Sequence, residues 1–364
     1  MTIRQEISEE YIEKILSDNS KDNVSYIQYP LDFKYLKFDL RARLFQVVTT
    51  LMKQYSVNRI LMQEPKLDND DLYKNIEYIC SIARAKEFQS KNGADNLIFE
   101  YVKLLKEYLQ TMNSFEQLGR PGGNVKGGGI QILNFDWRDS FCFWDTVYNI
   151  KRELLSEETF VSQYTGLIQK ATQFKYAKNE IKDVVKIIYE LYKNTYQHAY
   201  LPNLSDLSMR GFYAKKISIN TQNDEIGQYQ DYIDSIQKNR NAKTQILYFL
   251  ELSVFDSGYG YFFSVTKEIP DANTDKEYEK EITFKCFEKH FSSKTTGIHG
   301  EGLSSVVNLL VKLKGLMVLR TGRVKVVFNG AEMSSFDEAN VGYFEYIQGT
   351  SLSIMIPEIP SGEA

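Results

Sequence analysis

The stretch Ser253-Val-Phe-Asp-Ser-Gly-Tyr-Gly260 closes the apolar run Ile246–Phe255, which is broken only by Glu251. Such a run predicts a strand over 246–255 that carries Asp256 into a turn containing Gly258 and Gly260. A carboxylate at a strand end is an acceptor suited to an exocyclic amine such as that of adenine. The two glycines allow backbone and ligand to approach closely. A tight turn opened by Asp gives the same pattern, and taken by itself the stretch reads first as that turn.

Outward from this strand, the spacing predicts a helix over 180–199. Val184, Val185, Ile188, Leu191, Tyr192 and Thr195 form its apolar face. Glu190, Asn194 and His198 stand four apart on another face. A carboxylate, an amide and an imidazole in a row can polarise a water, hold a metal and orient a phosphate; a solvated polar face has the same spacing. Downstream, Phe291-Ser-Ser-Lys-Thr-Thr-Gly-Ile-His-Gly-Glu-Gly-Leu303 sets Gly297, Gly300 and Gly302 before an amphipathic helix over 303–314. Free N–H groups at a helix start favour an anion, and Lys294 adds a compact charge close to Thr296. Last, Gly349-Thr-Ser-Leu-Ser-Ile-Met-Ile-Pro357 reads as an alternating strand opened by the hydroxyl of Thr350.

In this order, Glu-x-x-x-Asn on a helix, Asp-x-Gly-x-Gly after a strand, Gly-x-x-Gly-x-Gly before a helix and Gly-Thr on a late strand, the chain resembles the GHKL ATP-binding superfamily over roughly residues 153–357. That group contains type II topoisomerases, heat-shock chaperones of the same fold, histidine kinases, mismatch-repair ATPases and anti-sigma kinases. The resemblance implies ATP and Mg2+ as cofactors. It implies Glu190 as the general base and Asn194 as the metal ligand. Asp256 would recognise adenine, with Gly258 and Gly260 shaping the pocket and Thr350 completing the hydrogen bonds behind the base. Lys294, Thr296, Gly297, Gly300, Gly302 and Leu303 would belong to the lid and triphosphate loop. The fold expected is α+β: a C-terminal two-layer α/β sandwich over 151–364, behind an N-terminal mixed or mainly helical α/β domain over 1–150 that regulates or binds a partner.

Some features depart from the superfamily pattern. Asn194 and Asp256 are 62 positions apart, and the excess is expected as a surface insertion near 221–245, with Tyr229, Tyr232, Ile233 and Ile236 as a helical stripe. Glu301 sits within the phosphate loop, where it repels a triphosphate unless it points outward. The chain ends soon after the last strand, so the transducer domain that supplies a lysine in several members is not expected. Residues 1–197 hold no histidine, which leaves no orthodox phosphoacceptor within the chain. The function expected is an ATPase acting as a nucleotide-driven conformational switch. The alternatives are a serine/threonine kinase acting on a separate protein and a nucleotide-binding scaffold without turnover.

The remaining sequence sets the class. The chain has 364 residues, a formal net charge of −4, and 43% hydrophobic and 25% charged residues, as folded globular proteins do. That balance does not indicate nucleic acid. The partners expected are ATP and a protein or a second copy of the chain. Cys80, Cys142 and Cys286 show neither disulfide nor zinc spacing, the N-terminus is polar, and no apolar stretch reaches the length of about 18 residues a membrane span needs. A cytoplasmic protein is expected. Gly119–Gly129 holds six glycines in eleven positions and reads as a linker. Helices are expected over 44–55, 72–85 and 97–112, with short strands at 59–63 and 130–135 and two further strands near 316–321 and 323–328.

Overall fold

The computed structural model describes residues 1–4, 6–18, 25–30, 38–54, 57, 59–62, 79, 85–90, 96–112, 114–121, 123–125, 128–136, 146–151, 153–176, 178–199, 208–222, 227–239, 245–271, 273–289, 291 and 302–358. The helices among them are α1 (Glu9–Ser17), α2 (Leu40–Gln54), α3 (Ile98–Met112), α4 (Phe115–Leu118), α5 (Glu157–Thr172), α6 (Lys178–His198), α7 (Gln230–Asn239), α8 (Gly260–Thr266), α9 (Lys276–Lys285) and α10 (Gly302–Lys312). The strands are β1 (Tyr26–Tyr29), β2 (Arg59–Met62), β3 (Glu87–Ser90), β4 (Ile130–Asp136), β5 (Ser208–Asn220), β6 (Ile246–Asp256), β7 (Leu316–Asn329) and β8 (Asn340–Pro357). β1, β2 and β3 form a small parallel sheet, with α2 in the crossover from β1 to β2. The larger sheet is antiparallel, in the order β4-β5-β6-β8-β7. The chain is therefore α+β. None of the described helices is long and apolar enough to cross a membrane.

Side chains alternate between faces along each strand, and on the five-stranded sheet both faces are covered. On the front, Phe212 of β5 meets the rings of Phe160 and Tyr164 from α5 and Tyr192 from α6. On the back, Phe255 meets Phe45 of α2, and Phe249 meets Tyr232 of α7. Two-sided burial explains why β6 reads as nearly continuous apolar sequence rather than as an alternation. The buried acid in the middle of this strand, Glu251, accepts a hydrogen bond from the Tyr213 hydroxyl at 2.7 Å.

Four expectations change. The sheet has helices on both faces, so the sandwich has three layers rather than two. Where the 221–245 segment is described, α7 is not surface decoration: its Tyr232, Ile233 and Ile236 are at most 2% exposed and share a core with Leu247, Leu316 and Val318. The boundary near 150 does not separate two cores, because β4 is the edge strand of the large sheet and α2 packs on β6 and β8. The expected strands 316–321 and 323–328 are one strand whose register slips around Gly322. The helix expected at 72–85 lies almost wholly outside the described residues, as do Cys80 and Cys142.

Local chemistry sets the helix ends. Ser8 caps α1 by accepting the Tyr11 N–H at 3.1 Å, and Ser156 caps α5 by accepting the Thr159 N–H at 3.3 Å. Acidic pairs, Glu9–Glu10 and Glu157–Glu158, occupy the first turns. α1 and α2 are held to β7 by a buried charge cluster. Arg43, 1% exposed, bonds Glu13 and, at 2.9 Å, Glu9, and lies 3.6 Å from Asp39. Lys325 of β7 bonds Glu9 at 2.5 Å, and Arg320 stands 3.7 Å from Glu13. Three cations thus face three carboxylates, which is what permits charges to be buried at all.

Candidate functional site

The front of the sheet carries a small cleft where the C-terminal end of β6 meets α6, α8 and β8. Asn194, Thr195 and His198 line it from α6, Tyr261 from α8, Asp256 from β6 and Thr350 from β8. The ladder explains the convergence. Asp256 is the cross-strand partner of Thr350 on one side and of Arg210 on the other. The apolar face of α6, with Val184, Val185, Ile188 and Leu191 all buried, seats that helix on the sheet. Its polar residues Asn194 and His198 are thereby turned to the edge where β6 ends.

Asp256 is 7% exposed. Its Oδ1 accepts the Gly258 N–H at 2.7 Å, the closure of a tight Asx turn. Burial pushes the carboxyl up from an ordinary 3.8 to about 7, while the backbone N–H groups of Gly258 and Thr350 and the charges of Arg210 and Lys53 pull it down. A buried carboxyl titrating near neutrality is the kind of group that functional sites use and stable cores avoid. Gly349 has φ 83°, and a Cβ there would come 2.0 Å from the Asp256 carbonyl oxygen. Only glycine fits at this crossing of β8 and β6. The Thr350 hydroxyl lies 3.4 Å from that of Thr321, which in turn accepts the Tyr261 N–H at 3.1 Å.

Glu190 stands one turn before Asn194 on α6. Its carboxylate is paired with Lys193 at 2.8 Å. A Cβ on Gly302, the first residue of α10, would come 2.4 Å from Glu190 Oε2, so the start of α10 lies against this acid. The Asn194 amide donates its N–H to the Glu190 carbonyl at 3.0 Å, which leaves the amide oxygen as its acceptor. Among the described residues no three His, Cys, Asp or Glu side chains gather to hold a metal. Among the described residues, the Asn194 amide oxygen is a neutral oxygen of the kind magnesium accepts alongside ligand and water oxygens.

The residues singled out from sequence fall in three sets. Asn194, Asp256, Gly260 and Thr350 line one cleft, with Gly258 in its turn. Glu190 and Gly302 are neighbours beside it, and Leu303 is buried in the core below α10. Lys294, Thr296, Gly297 and Gly300 lie outside the described residues. Tyr261 lines the cleft and Thr321 supports it from behind by bonding Tyr261 and facing Thr350, both without any sequence signal, since the fold alone brings them there. His198 did carry one, the four-residue spacing after Asn194. A wider groove, lined by Phe287, Ser304, Asn308 and Phe336, shares none of these residues. No protein-family model matches the sequence, and no curated protein matches it.

Proposed function

We propose that the cleft binds ATP with Mg2+ and that the chain is a GHKL-type ATPase working as a nucleotide-driven conformational switch. One observation carries this: Asn194, Asp256 and Thr350, far apart in sequence, line one cleft, and Glu190 sits beside it against Gly302. The Asp256 carboxylate accepts the adenine amine, and the Thr350 hydroxyl lies one strand away to bond the base or a water behind it. The first N–H groups of α10 face the phosphates. The Asn194 amide oxygen holds the metal, and magnesium, when bound, supplies neutralisation of phosphate charge. Glu190 orients the attacking water, and Lys193, 2.8 Å away, directs that carboxylate. Catalysis of this kind comes mainly from positioning. For ATP to move the chain from mostly one state to mostly another it must favour one by several kcal/mol. Charge-assisted bonds to a triphosphate are of that size.

The test is Mg·ATP binding and phosphate release by the full chain and by Glu190→Ala. The variant should bind within about threefold of the parent and lose at least about a hundredfold in turnover, the range for a missing general base. Equal loss of both would make Glu190 structural. Labelled phosphate on a second protein in place of free phosphate would make the chain a kinase.

A further inference from the structure

The turn that carries Asp256 is held from behind by a helix of the N-terminal region. Between the pairs Thr321↔Thr350 and Gly322↔Ile347 the β7–β8 register slips, so Gln348 and Gly349 stand outside the ladder. The N–H of Gln348 turns instead to the hydroxyl of Thr50 on α2, at 2.8 Å. That hydroxyl donates to the Gln46 carbonyl at 2.7 Å. Gln46, one turn earlier, bonds β7 at the Arg320 carbonyl, 3.1 Å, and β8 at the Ser351 hydroxyl, 2.7 Å. The Gln348 side chain then reaches forward. Both hydrogens of its amide are used, one on the Ser257 carbonyl at 3.1 Å and one on the Gly258 carbonyl. Thr50, Gln46 and Gln348 are all at most 1% exposed. At the end of α2, Lys53 lies over the ring of Tyr259 in the same turn, 4.3 Å from its centroid.

We propose that Thr50 and Gln348 are positioning residues of the Asp256 turn, and that α2 through them sets the nucleotide affinity of the cleft from the opposite face of the sheet. The inference rests on the nucleotide reading above and adds its regulation. On the β5 side Ser257 exchanges two bonds with Met209, each 2.8 Å; on the β8 side it is Gln348 that holds the Ser257 and Gly258 carbonyls, and through Gln348 the turn is coupled to α2. A partner that displaces α1–α2 lowers ATP affinity, and by linkage ATP strengthens the docking of α2 to the same degree.

The experiment measures ATP affinity of the full chain and of Thr50→Val, Thr50→Ser and Gln348→Met, well below their melting temperatures. Thr50→Val and Gln348→Met should each weaken ATP about tenfold, the size of one buried hydrogen bond. Thr50→Ser, which keeps the hydroxyl, should restore affinity to within about twofold. Amide hydrogen exchange on the unaltered chain supplies a second readout independent of any variant. ATP should slow exchange in residues 49–54 of α2. Unchanged affinity in the variants, failure of serine to rescue, or no change of exchange in α2 on ATP binding would each overturn the inference while leaving the nucleotide reading in place. An unaltered chain that binds no ATP would instead overturn the nucleotide reading itself, and this inference with it.

Discussion

Asp256→Asn should make the protein more stable and a poorer nucleotide binder at once. Burial raises this carboxyl from 3.8 to about 7 in the folded chain. A group whose folded value is raised contributes its stability in full below the unfolded value, and that contribution is lost as pH rises through about 7. At pH 8 the ionised Asp256 therefore costs up to about 4 kcal/mol, from 1.36 kcal/mol for each decade of acidity. Asn carries no charge to bury, and its oxygen can still accept the Gly258 N–H that Asp256 holds at 2.7 Å. In urea unfolding, the variant should exceed the parent by a gap that widens from pH 4 to pH 7 and is level above. ATP binding should move the other way. Loss of a charged acceptor costs about 1.5–3 kcal/mol, or roughly ten- to 150-fold in Kd. ATP affinity of the parent should fall as pH drops below about 7, because protonation removes the acceptor, while that of the variant stays flat. A variant less stable than the parent at pH 8, or one with unchanged ATP affinity, would refute this role for the carboxylate.

The back layer and the charge cluster give two further tests. Ile233→Ala should cost about 2–4 kcal/mol in urea unfolding, because the side chain is 0% exposed beneath α7; a loss below about 0.5 kcal/mol would return α7 to decoration. Arg43→Met strands Glu9, Glu13 and Asp39 and should destabilise by about 3–5 kcal/mol. A neutral result there would mean that Arg320 and Lys325 alone neutralise the cluster.

The front of the molecule was legible in the sequence because its signals are local. Val184 through Thr195 has a helical period, Ile246–Phe255 is too apolar for a loop, and the Asp-x-Gly-x-Gly turn follows at once. The back layer was not. The stripe Tyr229, Tyr232, Ile233 and Ile236 announces an amphipathic helix, but the sequence does not say what it covers, and a second face of the same sheet is a long-range fact. β7 read as two strands because Gly322, at φ 53°, interrupts the apolar run without ending the strand. Thr50 and Gln348 are 298 positions apart, and nothing around either residue marks the bond between them. The parallel sheet of β1, β2 and β3 was partly seen: a strand at 59–63 was expected where β2 spans Arg59–Met62, but strands of four residues carry too few alternations to be paired with their neighbours from sequence.

The most direct test of nucleotide binding at this cleft is a crystal structure of the chain grown with ADP and Mg2+. Adenine should lie between α6 and the Asp256–Gly260 turn, its amine within hydrogen-bond distance of the Asp256 carboxylate, and its phosphates toward Asn194 and the start of α10. Nucleotide bound elsewhere, for example at the Gly119–Gly129 segment, with the Asp256 cleft holding only water, would contradict the assignment.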